Sequence, residues 1–292
     1  MKATIPEFSI LEIVKPISTG KKAIDYYVAF CSAPMQLSKF PQRGAYYGIA
    51  ICTQGSATLL ANLEQYQLTP GTLIVMGPET IRSWPTQTAD YVEEILFFTE
   101  PFFLAITKNP NSLHQFTFLD NNSPKTILLS TDQCDIISKL LKDIKQTIAQ
   151  ESPREPELVG SYINIVLNQV ADLYELHYPD GLLNNTNIQR NMVLQFKKLL
   201  LANYLQLHTV NAYAALLNVT AKHLSQTIKA NTGKTVSVWI QEILILEAKV
   251  RLKQTNLSIN QIADVLNFSD ASLFGKYFKR YAGCSPAAYR KN

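Results

Sequence analysis

Long apolar runs are scarce in this sequence. Runs such as Leu73-Ile74-Val75-Met76 fall far short of the roughly 18 residues needed to cross a bilayer, so no membrane span is expected. Residues 1–20 are broken by Glu7, Glu12, Lys15 and Pro16, which leaves no apolar core for a secretory leader. Cysteine is sparse and scattered: Cys31, Cys52, Cys134 and Cys284 fit neither a zinc module nor a dense disulfide scaffold. They read as reduced thiols of a cytoplasmic protein. Histidine is limited to His114, His177, His208 and His223, none of which falls in a segment that reads as a strand. No Ser/His/Asp or Cys/His grouping is visible, nor a glycine-rich phosphate loop. The expectation is a non-enzyme with no catalytic residues, no metal and no cofactor.

What is present is enough for two domains. The chain has 292 residues, 47% of them hydrophobic, which excludes wholesale disorder. Net charge is +4, but it is unevenly spread. From Asn187 to the end the balance is +10, and before Asn187 it is −6. A basic last third on an acidic remainder is the electrostatic pattern of a nucleic-acid-binding domain joined to a non-binding one.

The first hundred residues read as β. Tyr26–Phe30, Tyr46–Thr53, Ala57–Leu60, Tyr66–Leu68, Thr72–Met76 and Tyr91–Phe98 are short runs of β-branched and aromatic residues, separated by turn signals such as Gln54-Gly55-Ser56 and Pro70-Gly71. That spacing predicts a barrel or a sandwich. Residues 131–150 and 157–177 show helical periodicity, with Thr131 as a candidate cap and an apolar stripe through Ile136, Leu140 and Ile144, with Ile137 and Leu141 beside it. Ile163, Val166, Leu167 and Val170 form the second helix's stripe. These helices are read as a dimerisation segment. The expected order is a sensor barrel at 1–125, helices at 126–178, a turn-rich linker at 179–187 and a DNA-binding domain at 188–292.

The basic third contains an internal repeat. Ala214-Ala215-Leu216-Leu217-Asn218-Val219-Thr220 aligns with Ala263-Asp264-Val265-Leu266-Asn267-Phe268-Ser269, and the helices that follow align with one extra residue in the second copy. Each copy, at 209–232 and 258–282, has the plan of a helix-turn-helix. A small Ala permits close approach, and Asn218 or Asn267 supplies the positive φ of the turn. Thr220 and Ser269 are expected to cap the second helix. On that helix Lys222, Ser225, Gln226 and Lys229 make one stripe, matched by Ser272, Gly275, Lys276 and Lys279 in the second copy. These side chains, with His223, Arg280 and the caps Thr220 and Ser269, are the predicted contacts to double-stranded DNA. The helix between the copies, of about 20 residues, is about 30 Å long, close to the spacing of successive major grooves on one face of a duplex.

These residues resemble the AraC/XylS family of transcription regulators. The most specific stretch is Ser258-Ile259-Asn260-Gln261-Ile262-Ala263-Asp264-Val265-Leu266-Asn267-Phe268-Ser269-Asp270, continued by Phe274, Phe278-Lys279, Gly283, Ser285-Pro286 and Tyr289-Arg290. The resemblance implies paired helix-turn-helix units on a long linker helix, a homodimer, and a contact with RNA polymerase if the protein activates. Asn267 replaces a frequent Gly, Leu244 replaces a frequent Arg, and Gln226 stands where Arg is common.

The β segment is similar, more loosely, to cupin-like sensor barrels, through Gly55-Ser56-Ala57-Thr58-Leu59, Pro70-Gly71-Thr72-Leu73-Ile74 and Gly77-Pro78. Arg82 stands where such barrels often have His. An α+β chain of two domains is thus expected, with a small-molecule effector in the barrel. Tyr26, Tyr46, Arg43, Arg82 and Trp84 are its candidate pocket residues, the arginines suited to an anion. The alternatives are a cupin-type enzyme with a DNA-binding tail, against which the histidine-free strands argue, and an architectural or RNA-binding protein, for which no module signature is seen.

Overall fold

The computed structural model describes residues 8–14, 25–30, 37–121, 123–178 and 188–291, the side chains of 13–14 and 188–191 excepted. The predicted linker 179–187 lies outside the described residues. The chain divides into two compact units, residues 7–39 with 43–179 in one and residues 40–42 with 180–292 in the other. Sheets come first and helices last, an α+β order. Among the described residues no helix is long and apolar enough to cross a membrane.

The first unit contains α1 (Ile10–Val14), β1 (Tyr26–Phe30), β2 (Tyr47–Gln54), β3 (Ala57–Ala61), β4 (Glu64–Leu68), β5 (Thr72–Met76), β6 (Arg82–Gln87), β7 (Val92–Phe98), α2 (Glu100–Thr107), β8 (Thr126–Leu128), α3 (Thr131–Ala149) and α4 (Glu155–His177). The strands do not close into one barrel. They form two open sheets, β1-β7-β2-β5-β8 and β4-β3-β6, antiparallel throughout. A common core binds the sheets together: Leu59 and Leu68 from the smaller meet Ala50, Ile74 and Ile95 from the larger.

Besides α1, three of the elements above escaped the sequence pattern. Strand β6 contains Pro85, which reads as a breaker. It is tolerated because β6 is an edge strand and its register against β3 slips between Thr58 and Leu60, where the missing N–H is not needed. Strand β8 is only three residues long, pairs with β5 and carries the larger sheet past residue 125. Helix α2 starts at Thr99, whose hydroxyl accepts from the Phe102 N–H, with Pro101 in the first turn.

Helix α3 is capped by Ser130, not by Thr131. The Ser130 hydroxyl accepts from Gln133 N–H and the Gln133 side chain reaches back to Ser130 N–H. Its inward stripe is Ile137, Leu141 and Ile144, whereas Ile136 is exposed and Leu140 half-buried. Of the wide expected stripe, the Ile137, Leu141 and Ile144 side is the buried one, and its Ile136 edge faces outward. Val159, Ile163, Val166, Leu167 and Val170 of α4 are buried as the periodicity implies. Gly160 lets α4 approach α2: a Cβ there would come within 2.6 Å of the Ile106 side chain.

The second unit contains α5 (Ile188–Asn203), α6 (Val210–Leu216), α7 (Ala221–Thr232), α8 (Val236–Gln254), α9 (Ile259–Val265), α10 (Ala271–Ala282) and α11 (Pro286–Lys291). Helix α8 is the axis of this unit. Trp239, Ile243, Leu244, Ala248 and Leu252 are buried on several of its sides, and it packs against α7, α9, α10 and α11. A helix apolar nearly all round belongs inside its domain rather than on its surface.

Candidate nucleic-acid interface

The two helix pairs are built alike. In the first, Thr209 caps α6, the small Ala214 is buried and Asn218 adopts φ 54°. In the second, Ser258 caps α9 through a capping box with Gln261, Ala263 is buried and Asn267 adopts φ 56°. The same backbone bond closes both turns. Val219 N–H donates to Ala214 O at 3.0 Å, and Phe268 N–H to Ala263 O at 2.9 Å. Asparagine tolerates the left-handed turn at modest cost, which is why a repeat lacking glycine at this point folds the same way twice.

The second helices differ at their caps. Thr220 caps α7, its hydroxyl accepting from His223 N–H. Helix α10 is capped by Asp270, whose carboxylate accepts from Leu273 N–H at 2.7 Å, and not by Ser269. The extra residue of the second copy moves the cap by one, and Ser269 instead donates to the Asp270 carboxylate. That carboxyl is held below its ordinary range, first by the Leu273 N–H bond and also by the charge of Lys276.

Leu224 and Ile228 of α7, and Phe274 and Phe278 of α10, are fully buried against their partner helices. That packing fixes which faces look outward. Lys222, His223, Gln226 and Lys229 on α7 are exposed, with Ser225 half-buried among them. On α10 Ser272, Lys276, Lys279 and Arg280 are exposed and Gly275 is half-buried. Thr220 and Ser269 are exposed at the turns. Gly275 is peculiar. It sits inside a helix with no positive φ, and a Cβ built on it would touch nothing within 4 Å.

The spacing between the pairs is held by α8 and its ties. Glu247 and Arg251, one turn apart and both buried, form an ion pair at 2.7 Å, and Tyr204 donates to the other Glu247 oxygen at 2.9 Å. From α11, Arg290 donates to Leu252 O and Leu257 O, fastening the C-terminal end of α8. Thr232 accepts from the Trp239 indole at the other end. His208 is half-buried against the Phe268 ring, and burial lowers its pKa.

In the first unit, the predicted pocket residues are only partly brought together. Arg82 lies over the Tyr46 ring at 4.8 Å, and both side chains are buried. Buried Arg43 donates to Glu79 O. Trp84 is in the inter-sheet core. Tyr26 is on the other face of its sheet: it stacks near Phe102 of α2 and donates to Glu155 of α4 at 2.7 Å. The strand alternation that puts Tyr27 with the Tyr46 cluster necessarily turns Tyr26 away. Sequence reasoning overlooked Glu93, which is buried on the inward face of β7 and accepts from Tyr91. Burial pushes its carboxyl up to about 7, against the opposing effect of the Tyr91 hydrogen bond. The alternation of Tyr91, Glu93 and Ile95 carried that signal.

The profile of a family described as a helix-turn-helix domain matches residues 213–292. The chain is 30% identical over 132 residues to the Msm operon regulatory protein of Streptococcus mutans, covering 43% of this chain and 48% of that one. It is 23% identical over 279 residues to the lactose operon transcription activator of Staphylococcus xylosus, covering 92% of this chain and 94% of that one. An apo crystal structure of ToxT from Vibrio cholerae aligns with 93% of this chain and 98% of its own, at 12% identity and a TM-score of 0.43. The chain spans about half the length of the first curated relatives it matches.

Proposed function

We propose that this chain is a sequence-specific, duplex-DNA-binding transcription regulator of AraC type that responds to a small molecule, a reading supported by the helix-turn-helix match of residues 213–292. The observation that carries the reading is the pair of matched outward stripes on α7 and α10. Each is backed by a fully buried apolar stripe, and α8, which packs against both helices, separates the two in sequence. Lys222, His223, Ser225, Gln226 and Lys229 read one major groove; Ser272, Gly275, Lys276, Lys279 and Arg280 read the next, with Thr220 and Ser269 at the approach. The nineteen residues of α8 span roughly 28 Å, which suits adjacent grooves.

The first unit is the sensor in this reading, and its two facing antiparallel sheets support a cupin-like origin. The division into a sensor at 1–125, helices at 126–178, a linker at 179–187 and a DNA-binding domain at 188–292 is part of the same proposal. The protein acts in the cytoplasm, catalyses nothing, dimerises through α3 and α4, and touches RNA polymerase where it activates. Exposed Leu158 and Ile165, seven residues apart on α4, support the dimer.

The test is footprinting on a duplex selected from a random pool by the parent chain. Lys222→Ala and Lys276→Ala should each weaken binding by about 1–3 kcal/mol if they reach bases. If they reach phosphates, each should instead lower the salt slope by about 1. Two variants that footprint like the parent at moderate salt would refute the stripe assignment.

A further inference from the structure

Strand β6 begins at Arg82, and Trp84 follows two residues later. Side chains two apart on a strand share a face. Trp84 packs with Leu59 of the smaller sheet and with Ile74 and Ile95 of the larger. That face of β6 therefore looks into the layer between the sheets. Arg82 is thus an inward arginine, only 2% exposed. Its guanidinium lies against Gly44, where a Cβ would come within 2.3 Å of Nη2.

Neither Nη1 nor Nη2 of Arg82 has a hydrogen-bond partner, and the buried indole Nε1 of Trp84 has none either. Among the described residues no carboxylate pairs with Arg82. Buried donors without acceptors are costly, and for a cation the cost is larger still. The face of the Tyr46 ring at 4.8 Å returns only part of it. Donors of this kind, gathered on one inward face, are arranged for an acceptor that arrives from outside.

The surroundings narrow what that acceptor is attached to. Ile10, Tyr46, Tyr27 and Phe97 form an apolar cluster at Arg82. In the inter-sheet core, Ala50, Cys52, Ala57 and Ala61 present short side chains from both sheets, Ala61 directly opposite Arg82 in register. A planar guanidinium fork matches a carboxylate, and a single cation among aromatic and aliphatic groups suits one negative charge on an apolar body.

We propose that the layer between the two sheets binds a small organic acid, its carboxylate held by Arg82 and Trp84 and its apolar body lying against Tyr46 and Phe97. This rests on reading the first unit as the sensor. The unliganded protein carries an unpaired guanidinium that the ligand neutralises, so binding also stabilises the fold.

The full chain contains two tryptophans, so Trp239→Phe leaves Trp84 as the sole emitter. Hexanoate and benzoate, with hexanamide and benzamide as uncharged matches, are titrated against that emission. At least one acid should saturate the signal and bind ten or more times more tightly than its amide. Arg82→Gln should abolish that preference and melt no lower than the parent, because an unpaired buried charge has been removed. Arg82→Lys should retain a weakened preference. The proposal is overturned if the amides bind as tightly as the acids, if neither acid perturbs Trp84, or if Arg82→Gln keeps the preference. The acid and amide comparison on the Arg82-bearing chain decides even if Arg82→Gln fails to fold. Amide binding alone would leave a sensor without the carboxylate. Acid binding that leaves affinity for the selected duplex unchanged would keep the site and remove the sensor reading.

Discussion

Replacing Gly275 by Ala separates what α10 needs as a helix from what it needs as a reading surface. Glycine inside a helix is destabilising by about 1 kcal/mol relative to alanine. Gly275 has no positive φ to justify it, and its missing Cβ would meet nothing within 4 Å. The fold therefore gives no reason for glycine here. Gly275→Ala should stabilise the second unit by about 1 kcal/mol, which in a domain of about 100 residues raises the melting temperature by about 4–8 °C. If the stripe lies against DNA, the added methyl stands where the duplex must approach. Affinity for the selected site should then fall tenfold or more, about 1.4 kcal/mol.

Gly233 and Gly283 supply the control. They too have open space, but at φ +73° and +80°, so alanine there should destabilise by about 1–2 kcal/mol. Differential scanning calorimetry and fluorescence anisotropy on one duplex give both numbers. A Gly275→Ala chain that melts at or below the parent refutes the helix argument. One that melts higher and binds unchanged refutes the docking face.

Glu93 makes stability depend on pH. Burial holds its carboxyl at about 7 in the folded protein, against an ordinary value of 4.5 for the unfolded chain, so stability should fall by about 3 kcal/mol as pH rises between those values. Glu93→Gln should flatten that slope in urea melts, and an unchanged slope would show that another group titrates. Glu247→Ala leaves Arg251 buried opposite nothing and should cost about 3–5 kcal/mol, while Glu247→Met with Arg251→Met should recover most of it; thermal melts of the three chains test this. Ile165→Glu should halve the mass seen by light scattering and leave the circular dichroism intact, whereas Leu141→Glu should unfold the first unit. A parent chain that scatters as a monomer would remove the dimer assignment.

The second unit was legible because its signal is local and repeated. Asn218 and Asn267, Ala214 and Ala263, and the buried pairs at 224, 228, 274 and 278 each fix a feature of the chain within a few residues. The cap at Asp270 was misplaced because a single inserted residue lets Ser269 and Asp270 both satisfy the pattern. Only geometry decides which reaches Leu273 N–H. The first unit was less legible because its order is set by pairing across the chain. Pro85 hides β6, whose place at an edge cannot be known from its own composition. Arg82 was chosen for its charge, but its lack of a partner is a property of everything around it. Tyr26 was a matter of parity: one residue's shift along β1 exchanges the inner face for the outer.

Helix α8 makes the two reading heads of one chain unequal and keeps them in a fixed order. Lys222 and Gln226 precede α8 in the chain, Ser272 and Lys276 follow it, and buried ties hold α8 within its unit. On the proposed reading, a single chain bound across two grooves would read a sentence with a beginning and an end. Inserting half a helical turn between the two half-sites would put one of them on the wrong side of the duplex. Direction, as well as affinity, is thereby written into the regulated sequence.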